Sequence, residues 1–257
     1  MSGLKKRLAS KTLSIGSWIQ FGYPQTTEIM AKAGFDFMVV DMEHTSIASH
    51  ELFQSIQICS LAGLSVLVRV GAHDPLLVKR AMDAGADGII MPMVETRDQA
   101  EMARDAVYYP PVGKRGVGLA RAQGYGLDFD DYMRRLRDEM IVIVMIEHHK
   151  AVAELESILA VDGVDGFFLG PYDMSASLGK PGQFNDPEVA AVLSRVGAIA
   201  KDHPKPSGIH VVHPDPTLLA KRIEESYKFI AYGTDMVFFS RMIRDSMQAI
   251  APNFQRN

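Results

Sequence analysis

Two acidic residues stand where chemistry is most easily built. Glu147 ends the apolar run IVIVMIE, and Asp173 closes the segment GVDGFFLGPYD. Each falls where a buried strand would run out. If the strands are parallel and close into a barrel, that end is where active sites are made. Carboxylates from adjacent strands can converge on one hard divalent cation, Mg²⁺ or Mn²⁺, leaving positions open for water or substrate. A 2-keto acid would chelate that cation through its carboxylate and keto oxygens, and the cation would hold the charge of an enolate. His44, in DMEH, is a base suited to neutral pH. Arg69, in LVRV, cannot act as a base but can stabilise developing negative charge. The combination points to enolate chemistry on a keto acid.

Each of these residues also has a plain reading. Asp173 precedes Ser175 and could cap a helix. Arg69 ends a strand of Val and Leu, so it could neutralise a structural carboxylate instead of a ligand. His44 needs a partner to fix its tautomer, and Asp41 or Asp83 could supply it. His148 and His149 could be zinc or iron ligands, but as immediate neighbours they point in different directions and read better as loop surface. The turn 169–173 could offer backbone N–H groups to a carboxylate, or be a simple tight turn. His210 and His213 follow the seventh apolar strand, Asp235 follows the eighth, and His210 is placed to contact the far half of a substrate.

The elements that would carry these residues alternate regularly. Strand-like runs at 13–19, 35–40, 65–70, 88–93, 141–146, 166–169, 207–212 and 228–231 are separated by helical stretches, and a last helix spans 240–250. Continuous Val/Ile/Leu/Phe runs indicate strands buried on both faces, as in parallel sheets. Eight βα units in 257 residues fit a (β/α)8 TIM barrel, read as one α/β domain over 1–257. An open doubly wound sheet is the runner-up, weakened because no GxGxxG follows the first strand. Connection 108–131 is longer than most βα loops. Its glycines with Arg115 or Arg121 could nest an anion, or the loop could pack on a neighbouring subunit.

Composition excludes several classes. The net charge is −4 and the basic clusters Lys5-Lys6-Arg7 and Arg134-Arg135 are short, so no nucleic-acid partner is expected and both clusters read as solvated helix faces. Cys59 is the single cysteine, in the helix-like setting IQICSLAG, and reads as buried packing. No apolar run approaches the ~20 residues of a membrane span, and the N-terminus lacks a secretory h-region, so a cytoplasmic protein without membrane contact is expected.

The motifs VVDMEH, LVRV, IIMPMVE, YYPPVGKRGVG, MIE and GVDGFFLGPYDMSASLG, in this order, resemble the HpcH/HpaI aldolases, metal-dependent class II pyruvate aldolases, over about residues 15–241. The resemblance implies a barrel whose last helix is exchanged between neighbours in a homo-hexamer, a trimer of dimers. It implies Glu147 and Asp173 as ligands of Mg²⁺ or Mn²⁺, with Co²⁺ a third fit. It implies His44 as proton acceptor, Arg69 as stabiliser of the transition state, Asp83 raising the basicity of His44 from close by or across a subunit contact, and Asp41 assisting. Amides of Tyr172 and Asp173 would hold the pyruvyl carboxylate. Two positions depart from the best-known members: Met145 replaces a glutamine that touches substrate, and Tyr172 replaces a small residue.

The implied reaction is reversible cleavage of a sugar-acid-like 4-hydroxy-2-keto acid to pyruvate and an aldehyde. No lysine Schiff base is expected, since no strand ends in lysine and Lys79 and Lys150 look like helix surface. Oxaloacetate decarboxylation or acyl-CoA lyase chemistry would use the same site; a CoA ligand would need Lys114, Arg115 and Arg121 as its basic patch. A non-catalytic keto-acid- or metal-binding relative is the reading from another class, and the full set Asp41, His44, Arg69, Glu147 and Asp173 argues against it.

Overall fold

In a computed structural model, which describes residues 3–250, the eight strands close into a parallel barrel in sequence order. They are β1 Ser14–Ile19, β2 Phe37–Asp41, β3 Ser65–Arg69, β4 Gly88–Met91, β5 Ile141–Ile146, β6 Gly166–Leu169, β7 Ser207–Val211 and β8 Phe229–Thr234. β8 pairs in parallel with β1, so no open edge remains. The expected (β/α)8 fold is therefore present, and the open-sheet alternative falls.

Alternation along each strand sorts its side chains into two cores. Phe37, Val39, Leu67, Ile90, Ile141, Ile143, Met145, Phe168 and Phe229 fill the barrel interior with Trp18. Met38, Val40, Val66, Val68, Val142, Val144 and Ile146 point outward against the helices. Room for the large interior rings comes from glycine. A Cβ at Gly16 would sit 2.4 Å from the Phe37 ring, and one at Gly208 2.5 Å from the Phe168 ring.

Helix α1 (Gly3–Ala9) plugs the bottom of the barrel with Leu4 and Leu8. This corrects the reading of Lys5-Lys6-Arg7 as solvated. Lys5 is buried, with Nζ 3.0 Å from Asp165 and bonded to the Met140 carbonyl, and Arg7 pairs with Asp36. Asp36, Asp87 and Asp165 share one device there. Each precedes an even-numbered strand and accepts the N–H of Ile15, Val66 or Val142 on the strand before it, at 2.8, 2.8 and 2.9 Å.

The outer helices are α2 Pro24–Ala31, α3 Ser49–Leu61, α4 Pro75–Asp83, α5 Arg97–Val107, α6 Phe129–Glu139, α7 Ala151–Leu159, α8 Pro171–Ser177, α9 Pro187–Asp202, α10 Pro216–Glu224 and α11 Asp235–Ile250. Three start with Asp-Pro: Asp74, Asp186 and Asp215 cap α4, α9 and α10, with proline at the first helical position. Helix α6 lies in and just after the stretch expected to be a long loop. It buries only Tyr132 and Leu136 and is otherwise mostly charged, so its low apolar content reads as a polar loop. Cys59 is buried in α3, and burial pushes its thiol up to about 12. Among the described residues, no helix is long and apolar enough to cross a membrane.

Candidate active site

The inward row that packs the core becomes polar at the top of the barrel. Following it upward, Val39 leads to Asp41, Leu67 to Arg69, Met145 to Glu147 and Trp18 to Gln20. The period of two that buries one residue of each pair aims the other at the mouth. The β2–β3 register sets Asp41 directly beside Arg69.

The result is a layered ion-pair system. Arg69 donates from Nε to Asp41 Oδ1 at 2.9 Å and from Nη2 to Oδ2 at 2.8 Å. Asp41 also accepts from Gln20 Nε2 and the Glu43 N–H, both at 3.1 Å. Burial pushes the Asp41 carboxyl up, but the Arg69 guanidinium and these donors outweigh it and hold the group below its usual range. Arg69 Nη1 lies 2.9 Å from Glu43 Oε2, and the guanidinium stacks 4.3 Å above the Trp18 ring. Glu43 Oε2 is 3.6 Å from Nε2 of the exposed His44. Burial raises the Glu43 carboxyl, Arg69 and His44 oppose this, and Asp41 and Asp173 reinforce it.

Glu147 is 2% exposed. Its Oε2 accepts the Met93 N–H at 2.8 Å, and Met93 holds a left-handed backbone, φ 50°, to make that bond. Few non-glycine residues adopt such a conformation, and strain of this kind collects at functional sites. Burial raises the Glu147 carboxyl to about 7; Met93 opposes the shift, and the charges of Glu43 and Asp173 add to it. Asp173 is exposed in the first turn of α8.

A cavity of about 210 Å³ opens over this set, lined by Trp18, Arg69, Met145, Glu147, Tyr172, Asp173 and His210 among others. His210 stacks on Trp18 at 5.1 Å, and its Nε2 meets the Gly233 carbonyl at 3.0 Å, so that nitrogen carries the hydrogen. Burial pushes His210 down to about 4, leaving a neutral ring. Tyr172 is exposed, with its ring edge-on to Phe184 at 4.9 Å.

Asp41, Arg69, Met145, Glu147, Tyr172, Asp173 and His210 thus meet at one mouth, with His44 on its rim. Asp83 does not join them. It is the last residue of α4, a helix running from the top of the barrel to the bottom, and its side chain faces Arg115 at 3.6 Å. Asp83 shares a surface pocket with Ser49, Leu52 and Phe53 of α3, outside the cavity at the mouth. His148 and His149 stack at 4.5 Å in the turn after β5, and among the described residues no three His, Cys, Asp or Glu form a metal cage. The basic patch considered for an anion or CoA is already engaged. Lys114 pairs with Asp105 at 2.8 Å, Arg115 is buried 4.2 Å from the Tyr109 ring, and Arg121 donates to the Ala84 carbonyl at 3.0 Å.

Glu43, Gln20 and Trp18 have no role assigned from sequence alone. Gln20 and Glu43 carry the polar signal of a strand end. Trp18 carries none, because an aromatic residue within an apolar strand reads as core.

The charge pattern at the mouth is one a cation would relieve. Glu43 and Asp173 add to the cost of charging Glu147, and Asp173 adds to that of Glu43, while Arg69 is committed to Asp41 and Glu43. Gly170 leaves space beside the carboxylate, where a Cβ would come within 2.8 Å of Glu147 Oε1.

A parallel barrel with a buried carboxylate–guanidinium system at the C-terminal ends of its strands is the architecture of a barrel enzyme. Comparison narrows the class: residues 14–241 match the HpcH/HpaI aldolase/citrate lyase family, and the chain belongs to that family. It is similar to the hydroxypyruvate/pyruvate aldolase of Sagittula stellata, 38% identical over 90% of each chain. It is also similar to the 2-dehydro-3,6-dideoxy-6-sulfogluconate aldolase of Pseudomonas putida, 36% identical over 95% of this chain and 94% of that one. A solved HpcH/HpaI aldolase/citrate lyase family protein from Burkholderia cenocepacia J2315 superposes with TM-score 0.91 at 34% identity, over 98% of this chain and all of that one. The relatives are carbon–carbon lyases.

Proposed function

We propose that the protein is a pyruvate aldolase that cleaves a 4-hydroxy-2-keto acid to pyruvate and an aldehyde, and runs the reverse addition. The observation that carries this reading is the buried Glu147 carboxylate facing Glu43 and Asp173 beside an Arg69 anchored at both flanks. Glu147 and Asp173 would hold Mg²⁺, Mn²⁺ or Co²⁺, which when bound supplies Lewis-acid polarisation of the keto oxygen.

The chain's own residues do the rest. Amides of Tyr172 and Asp173 receive the substrate carboxylate. His44 takes the proton of the C4 hydroxyl as the aldehyde carbonyl forms. The C3–C4 bond breaks, and its electron pair passes into the enolate of pyruvate. Arg69, fixed by Asp41 and Glu43 and backed by Trp18, faces the growing oxyanion charge without having to reorganise. Protonation at C3 completes pyruvate. Met145 presents an apolar surface where the best-known members place an amide, so substrate orientation rests more on Arg69 and α8. His210, neutral and lining the cavity, contacts the hydroxyls of the aldehyde half.

Two readings concern assembly. Helix α11 presents Phe239, Met242, Ile243 and Met247 to solvent at 42–70% exposure, an apolar face that suits exchange between subunits in a homo-hexamer. Asp83 would then support His44 from a neighbouring subunit.

The test is exchange of pyruvate methyl protons for deuterium, followed by NMR on EDTA-treated protein before and after addition of Mg²⁺ or Mn²⁺. Exchange that requires the cation and disappears in Glu147→Ala and His44→Ala is expected. Folded protein with no exchange under any cation would overturn the aldolase reading.

A further inference from the structure

Glu147 and Asp173 ride on different segments, and one serine oxygen joins those segments. Past Glu147, the chain turns through His148 and His149 into α7. Asp173 rides on α8, a helix of seven residues that ends at Ser177. Ser177 Oγ accepts the His149 backbone N–H at 3.0 Å and lies 3.1 Å from His149 Nδ1. Its own proton goes to the Met174 carbonyl, 2.7 Å away.

A hydroxyl has one proton and two lone pairs. The proton is spent on Met174, so Ser177 is the acceptor in both contacts with His149, and Nδ1 must carry a hydrogen. Every site on the serine oxygen is then used. The arm to Met174 grips the buried neighbour of Asp173. The arms to His149 grip the turn two residues beyond Glu147. The opposite end of α8 is fixed to the same strand, where the Gly170 N–H donates to the Ile146 carbonyl at 3.2 Å.

We propose that His149 and Ser177 are positioning residues that preset the separation of Glu147 and Asp173 for the divalent cation held between them. The proposal rests on the cation reading of the proposed function. The physical reason is that Glu147 is fixed by the barrel, whereas Asp173 is exposed on a two-turn helix. Two like-charged carboxylates drive such a helix away when nothing neutral or positive lies between them. A tether at the far end of α8 resists that drift, so less ordering remains to be done when the cation binds. Neither residue touches substrate in this arrangement.

The experiment measures binding without turnover. Cation-free full-length protein is titrated with Mn²⁺, and free Mn²⁺ is read by electron paramagnetic resonance. His149→Ala and Ser177→Ala are expected to raise the Kd for Mn²⁺ by roughly tenfold, as loss of groups that orient metal ligands commonly does. At saturating Mn²⁺ their kcat should stay near that of the unmodified protein, so the defect appears in the half-saturating cation concentration. His149→Asn should restore affinity, because its Nδ2 lies where Nδ1–H lies, whereas His149→Gln should not. Near-unaltered Kd in both alanine variants would overturn the tether. So would an asparagine variant as weak as the alanine one, since that pattern marks lost packing. If the unmodified protein itself bound no Mn²⁺, the cation reading would fall and take the tether with it.

Discussion

Glu147→Gln should stabilise the cation-free protein, and by an amount that depends on pH. Holding a carboxyl at about 7 instead of its ordinary 4.5 costs the ionised form about 3 kcal/mol, an upper figure for a group able to relax. The sign follows from linkage. The folded state binds this proton more tightly than the unfolded chain, so the associated stability is present below about 4.5 and is lost as pH rises through 7. Above 7 the folded protein carries a buried charge facing Glu43 and Asp173; glutamine carries none and can still accept the Met93 N–H. In EDTA at pH 8, Glu147→Gln should therefore melt higher, by up to roughly 6–12 °C if 1 kcal/mol moves a chain of this size by 2–4 °C. At pH 5 the difference should have largely vanished. Divalent cation should reverse the order, since binding at 100 times Kd adds about 2.7 kcal/mol to the unmodified protein and far less to the variant. Melts must be run at one protein concentration, because any assembly adds its own linkage. A variant no more stable at pH 8, or a gap equal at pH 5 and pH 8, would refute the account of Glu147 as a destabilised group held ready for a cation.

Other outcomes follow from the same geometry. Gly170→Ala should fold but lose cation affinity in the same Mn²⁺ titration, because its Cβ would fall 2.7 Å from Glu147 Cγ; unaltered affinity would mean the carboxylate has another place to go. Arg69→Met leaves Asp41 as an unpaired buried charge, so urea unfolding should show a loss of roughly 3–5 kcal/mol along with lost methyl-proton exchange, and a loss below about 1 kcal/mol would contradict the buried pair. His210→Ala should shift the preference among aldehydes in competition assays of the addition reaction while pyruvate proton exchange continues; an unaltered preference would remove His210 from the aldehyde subsite. Ile243→Glu on the exposed face of α11 should lower the oligomer mass in light scattering, and an unaltered mass would place the assembly surface elsewhere.

The same alternation explains what was legible in the sequence and what was not. The strands are buried on both faces, so their hydropathy does not reveal which residues point inward. The inward row becomes visible only where it turns polar, at Asp41, Arg69 and Glu147, and those residues could be singled out from the sequence. Trp18 belongs to the same row and supports both Arg69 and His210, yet it extends an apolar strand and leaves no mark. Lys5 fails in the opposite direction: its type suggests solvent, and only the long-range contact with Asp165 shows that it closes the barrel floor. Asp83 is a third case. Its side chain lies 3.6 Å from Arg115 and it does not line the cavity at the mouth, so its polar type alone does not assign it a partner. A local polar break in an apolar run therefore identifies which residues face the chemistry. Partners that act through the fold or through a neighbouring subunit have no such local signal, and the supporting parts of this site, Trp18, the Ser177–His149 junction and the strained Met93, all fall in that second group.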